Sequence, residues 1–412
     1  MRSTTKTAVV AAVSALAACV QLLDPPDRIG ADHVVCEDSS CTCEPGYGDC
    51  NDDLGDGCES VLDSDPLHCG DCSVRCGSGA CEGGACGCSD GTIDCDEDET
   101  NGCETDARTD PLHCGACGHD CLGGECVEGL CQPRNLHEAS YPNQLAQSAN
   151  AIFYSEYGSV QRIGKDGTGF QENIIEYELR SPRAMVFEPP DAEHGRLFAL
   201  TENFLASVDE TGHDGVLLGD SPPVLDTYGA ELAVLGEWLY IVSNKTDTLV
   251  HRVSASDGAV VEELDSTGTG GLARDGGRVA WGHRGDVADS IVAIDATGAT
   301  STIYTTPAYD GFSRLALEGD LLFLDSFSGP QAIDLSTGDV VTFVDEDVGG
   351  FAVRDGIVYF INPHRSTIEM WQRGMVEPAV LTSGLNNATS NLLVDDEALY
   401  FGTEDGVFKL AR

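Results

Sequence analysis

Beyond residue 131 the chain repeats one phrase of apolar and polar positions. A short apolar strand, a Gly/Asp turn and an apolar-aromatic strand recur seven times. The second strands centre on Ile152, Leu197, Leu239, Val279, Leu322, Val358 and Leu399, an interval of roughly 41 residues. Strands such as residues 231–235 and 350–353 precede them, and third and fourth strands such as 249–253 and 259–263 follow. β-Branched and aromatic residues bounded by Gly and Asp are strand signals. No helical stripe interrupts them.

Four short strands per unit is the arithmetic of a propeller blade. One unit cannot bury its own faces, so the units must close into a ring. The pattern predicts a mainly β chain with a seven-bladed β-propeller over residues 132–412. A six-bladed ring, with the unit around Arg196 as an insertion, is the alternative. The last unit stops at residues 407–410, its third strand. Residues 134–141 are the candidate for the missing fourth, which would cover edges that otherwise invite aggregation. The phrases, most clearly residues 399–410, resemble the YWTD- and NHL-like propeller families. That resemblance implies the fold and says little about function.

Residues 36–131 follow different rules. All 19 cysteines lie within residues 1–131, and Tyr47 is the only aromatic residue between Cys36 and Cys131. Cys41, Cys43, Cys50, Cys58, Cys69, Cys72, Cys76, Cys81 and Cys86 recur at an offset of 45 as Cys86, Cys88, Cys95, Cys103, Cys114, Cys117, Cys121, Cys126 and Cys131, and Cys36 maps onto Cys81. These 18 cysteines permit full pairing, though spacing leaves the pairs open. A segment this poor in apolar side chains cannot bury a core that offsets chain entropy, so cross-links are expected instead. His68 and His113 beside Cys-x2-Cys pairs raise zinc as the rival reading; the export signal described next favours disulfides.

Residues 1–19 carry Arg2 and Lys6, an apolar run over 8–18, then Leu16-Ala17-Ala18-Cys19. The run is too short to span a bilayer and has the length of a signal-peptide apolar region. Its end resembles the lipobox of bacterial lipoproteins, which implies cleavage before Cys19 and acylation of its thiol. Val20 in place of Asp implies, by the same resemblance, the outer membrane or cell surface. Residues 20–35, with Pro25-Pro26, read as a tether. The line from Cys58 to Cys72, repeated at Cys103–Cys121, resembles the stigma-specific-protein type of cysteine-rich repeat carried by exported myxobacterial proteins. His68 and His113 depart from its Asn, and Gly is missing after Cys72. The resemblance implies an extracytoplasmic structural module.

A net charge of −48 excludes phosphate-driven nucleic-acid binding and a polybasic membrane contact. Two acidic loops, with Asp49, Asn51, Asp53 and Asp56 in one and Asp94, Asp96 and Asp98 in the other, carry alternating oxygens of the kind Ca²⁺ takes. Solvated loops are the alternative. The turns between second and third strands share one edge of the ring and carry Lys245, His283, Arg284, His364, Arg365, Glu404 and Asp405. They form a candidate ligand rim for a carboxylate or sugar acid. No local enzyme motif is present. The expected function is an envelope-anchored, non-catalytic binding or adhesion protein with a protein or carbohydrate ligand. An envelope hydrolase or lyase with a divalent cation in the propeller channel is the alternative.

Overall fold

The computed structural model describes residues 32–412, apart from 38–39, 78, 97, 99–102, 177–181, 189–194, 202–203, 221–229, 244–247, 308–310, 327–328 and 389–390. Cys19 and residues 20–31 lie outside them. Every regular element described is a β-strand. The chain divides into two compact units, residues up to Asp120 with Cys126–Leu130, and Cys121–Glu125 with Cys131–Arg412.

Nine disulfides do the work of a core in the cysteine repeats. They join Cys36–Cys41, Cys43–Cys58, Cys50–Cys72, Cys69–Cys81, Cys76–Cys86, Cys88–Cys103, Cys95–Cys117, Cys114–Cys126 and Cys121–Cys131. The last four copy the second to fifth at the offset of 45. Cys36–Cys41 stands outside that copy. Cys81 and Cys86 face each other across the hairpin Ala80–Glu82 and Ala85–Gly87, yet each reaches back to Cys69 or Cys76. In the hairpin Val34–Glu37 and Ser40–Cys43 the facing Cys36 and Cys41 bond each other. The cysteines beside His68 and His113 are thus all bridged. His68 Nδ1 instead lies 3.0 Å from Asp65 Oδ2, and His113 Nδ1 accepts from Gly118 N.

The glycine of each Cys-Gly-x-Cys motif has a steric reason. A Cβ on Gly70 would come within 2.4 Å of Gly84 O, and one on Gly115 within 2.6 Å of Gly129 O. Both glycines also take positive φ, +73° and +76°, which side-chain-bearing residues rarely adopt.

Antiparallel sheets make up the second unit. Among the described residues five are four-stranded, and one has seven strands. The seven expected second strands all form, as Ala151–Glu156, Arg196–Leu200, Trp238–Ser243, Arg278–Arg284, Leu321–Ser326, Ile357–Asn362 and Ala398–Thr403. The seven-stranded sheet arises because one 16-residue strand, Val260–Asp275, is the last strand of one meander and the first of the next. Its register shifts at Gly268/Gly270 and Gly270/Leu272, so glycines carry the bend.

Alternate residues along each strand bury on opposite faces. Ile152 and Tyr154 pack with Ala398, Tyr400 and Val407, while Phe153 packs with Phe187, Leu197 and Ala199. Each sheet therefore lends one face to each neighbour. The innermost strands touch in a closed circuit: Leu145–Gln147, Ala184–Glu188, Glu231–Leu235, Val260–Asp275, Phe312–Glu318, Phe351–Arg354, Leu392–Val394, and back to Leu145–Gln147. This is a β-propeller. The expected closure is present. Arg134–Glu138 pairs antiparallel with Gly406–Ala411 and completes a sheet whose other strands come from the C-terminal end.

Glu231 opens one inner strand, and the Leu272 backbone N–H donates to its carboxylate. Burial pushes its pKa up to about 7, against the lowering effect of that bond and of Arg314. The folded state thus holds a proton that the unfolded chain releases above pH about 4.5. This contribution is fully present below that pH and is lost as pH rises through 7. Glu231→Gln is expected to leave stability unchanged near pH 4 and to raise it by up to about 3 kcal/mol at pH 8. Urea unfolding at the two pH values checks this.

Candidate functional site

The turns between second and third strands, which carry the candidate rim residues, lie on one edge of the propeller. Lys245 lies outside the described residues. His283 Nδ1 is 2.7 Å from Asp265 Oδ2, which also accepts from the Trp281 indole at 3.0 Å. Burial alone would raise the Asp265 pKa. Hydrogen bonds from Thr267, His283 and Trp281 outweigh it and hold the carboxyl below its ordinary range. Arg284 Nε lies 3.9 Å from the fully buried Asp289. Arg365 faces Glu346 at 3.2 Å and the buried Glu369 at 3.9 Å. The His364 and Arg365 backbone N–H groups both donate to Asn362 Oδ1. Glu404 accepts from Tyr141 and Asn387, each at 3.1 Å, and Asp405 N donates to Thr403 Oγ1. Each described arginine here, and His283, already meets a carboxylate within the protein.

The acidic loops fold on their own backbone. Asp53 N donates to Asp49 Oδ1 and Asn51 Oδ1, and Asn51 Nδ2 donates to Asp56 Oδ2. In both repeats a glutamate receives a cysteine N–H, Cys50 N to Glu59 and Cys95 N to Glu104. In the second loop Asp98 N donates to Asp96 Oδ1, and Asp94, Asp96 and Glu104 bring carboxylate oxygens within 4.8 Å of one another.

A cleft of about 860 Å³ opens at the opposite edge of the propeller, where the turns joining first to second and third to fourth strands emerge. The turns after Leu145–Gln147, Ser159–Gly164 and Leu392–Val394 wall it. Lys165 Nζ bonds Asp395 Oδ2 at 2.8 Å, and the Tyr400 hydroxyl donates to the same oxygen at 3.0 Å. Asp395 Oδ1 accepts the Glu397 and Ala398 N–H groups. Burial again works to raise this carboxyl, and these bonds hold it low. Two ammonium groups sit over the Tyr400 ring, Lys165 at 5.0 Å and Lys409 at 5.9 Å from its centroid. Burial, with Asp395 close by, pushes the Tyr400 hydroxyl up, so it stays a donor. The sequence reading missed this cleft. Its residues lie about 230 positions apart in the chain and meet only because the ring closes.

No protein-family model and no curated protein matches the chain. Solved structures of similar fold include YCF48 bound to D1 peptide, at 9% identity over 68% of this chain and 96% of that one, with a TM-score of 0.52. A catalytically inactive virginiamycin B lyase from Staphylococcus aureus with quinupristin is 14% identical over 68% of this chain and 98% of that one, with a TM-score of 0.51. BamB from Moraxella catarrhalis is 13% identical over 66% and 83%, with a TM-score of 0.45. The first two establish likeness of fold.

Proposed function

We propose that this chain is an exported, lipid-anchored binding protein. In this reading Cys19 carries the lipid, the cysteine repeats form a stalk, and a seven-bladed propeller presents the recognition surface at the cell envelope, probing for a protein or carbohydrate partner. Nine bridges among 18 cysteines support export, since such bonds persist in oxidising compartments. They leave Cys19 as the odd cysteine, as acylation requires. The seven second strands and the circuit of innermost strands support the blade count. The carrying observation is the polar cleft, because loops on a rigid scaffold are where binding groups concentrate. YCF48 and the lyase, each solved with a ligand, support a propeller as a ligand platform.

The two edges are separable by experiment. Ala149→Trp fills the cleft without removing a polar side chain, and Arg365→Gln alters the opposite rim. Titrating solubilised envelope components onto immobilised full-length protein is expected to show about tenfold weaker binding for Ala149→Trp and unchanged binding for Arg365→Gln. The reverse pattern would place recognition on the rim.

The same reading gives the second acidic loop weak calcium affinity. Calorimetry of the full chain is expected to show heat saturating in roughly the millimolar range typical of extracellular modules, and Asp96→Asn to remove it. A flat trace removes the assignment.

A further inference from the structure

The closing sheet sets like charges against each other. Lys409 lies directly opposite Tyr400 on one neighbouring strand and directly opposite Arg134 on the other. Directly opposed residues share a face, and like charges so placed are destabilising. Lys409 is half-buried, and among the described residues no carboxylate lies within ion-pair distance of it. Arg134 donates to Asp166 O, a main-chain carbonyl, at 3.0 Å. Arg162, in the cleft wall, likewise gives its N–H groups to the carbonyls of Glu210 and Gly169. Among the described residues Lys165 alone of the four has a carboxylate within ion-pair distance, Asp395, although Asp166, Asp396 and Glu397 also line the cleft.

This is an odd use of scarce cations. The chain has 22 Lys and Arg against 70 Asp and Glu, so carboxylate partners are abundant elsewhere. Arg373, for example, takes both Asp334 and Asp339. A half-buried ammonium without a counter-charge carries a desolvation cost. An incoming anion would remove both that cost and the Arg134–Lys409 repulsion. The Tyr400 ring and the Lys165–Asp395 pair hold a floor beneath the site.

We infer that the cleft binds an oxyanion, a carboxylate, sulfate or phosphate group on a small or extended ligand, with Lys409 as its principal contact and Arg162 beside it. This rests on the cleft being the recognition site and names what it recognises. The rim cations, already met by internal acids, would not compete for it.

The test uses the full chain at low ionic strength with three probes: inorganic phosphate, sodium sulfate and glucuronate, each against sodium chloride of equal ionic strength. At least one probe is expected to bind saturably and raise the unfolding temperature. Lys409→Gln is expected to weaken that binding about tenfold or more. Without any probe, the same variant is expected to unfold at a higher temperature than the parent, because the opposed charges are gone. Arg365→Gln is expected to leave probe binding unchanged. The ranking of the three probes separates phosphate, sulfate and carboxylate sources. Absence of saturable binding by every probe, or binding that survives Lys409→Gln unchanged, overturns the oxyanion assignment. If envelope binding still fails with Ala149→Trp in that case, the cleft remains the recognition site and only its ligand class is wrong.

Discussion

Replacing Leu136 by alanine is expected to cost about 2–4 kcal/mol of stability and to loosen the two ends of the propeller together. Leu136 lies at the centre of Arg134–Glu138, is buried, and packs in the cluster holding Leu145, Ile152, Tyr154 and Tyr400. Its strand is the N-terminal contribution to a sheet whose remaining strands lie beyond residue 391. Truncating the side chain opens a cavity where the two ends meet. Hydrogen exchange should quicken in Arg134–Glu138 and in Gly406–Ala411, the strand it pairs with, before it quickens in Trp238–Ser243 on another sheet. Uniform quickening throughout would mean that closure does not depend on this strand.

The second large effect concerns the bridges. Cys50→Ser with Cys72→Ser opens a link across 22 positions, and Cys36→Ser with Cys41→Ser one across 5. Chain-entropy estimates assign about 3 kcal/mol to the longer loop and about 2 kcal/mol to the shorter. The difference should widen in practice, because Cys36–Cys41 staples a hairpin that its own strands already pair. Without a reductant, limited proteolysis of the first double variant is expected to cut within residues 40–90. The second double variant should resist as the parent does. Equal resistance of both would show that the repeats hold together without the Cys50–Cys72 bridge.

Much of this fold is legible in residue order. The recurring apolar-aromatic phrases at Ile152, Leu197, Leu239, Val279, Leu322, Val358 and Leu399 marked the second strands, and residues 134–141 were legible as the candidate strand that completes the last unit. The 45-residue register of cysteines likewise implied a repeated pairing. The pairs themselves were not legible. Cys36 and Cys81 occupy equivalent positions, yet Cys81 reaches back to Cys69 while Cys36 bonds across its own hairpin to Cys41. The merging of two meanders through Val260–Asp275 was also hidden, because Thr267-Gly-Thr-Gly-Gly271 reads as a turn and bends as a bulged strand.

The site was less legible than the fold. Sequence reasoning placed cationic turn residues on a common edge, but charge counts do not reveal internal partners such as Asp265 for His283 or Glu346 for Arg365. The cleft gave one faint signal. Aligning third strands by their buried last aliphatic residue, Ile163 and Leu410, places Arg162 and Lys409 at the same position. That alignment shows equivalence within a repeat. Proximity follows from closure, which brings the turns carrying Lys165 and Asp395 together.

Where the chain matures sets the state of all its cysteines, and one spectrum tests it. Intact-mass and non-reducing peptide analysis of protein isolated from its own cells is expected to show an N-terminus at Cys19 bearing a diacylglycerol mass. The same spectrum should show nine linked cysteine pairs, among them Cys50–Cys72 and Cys95–Cys117. An uncleaved N-terminus with a free Cys19 thiol and alkylatable cysteines throughout residues 36–131 would contradict it.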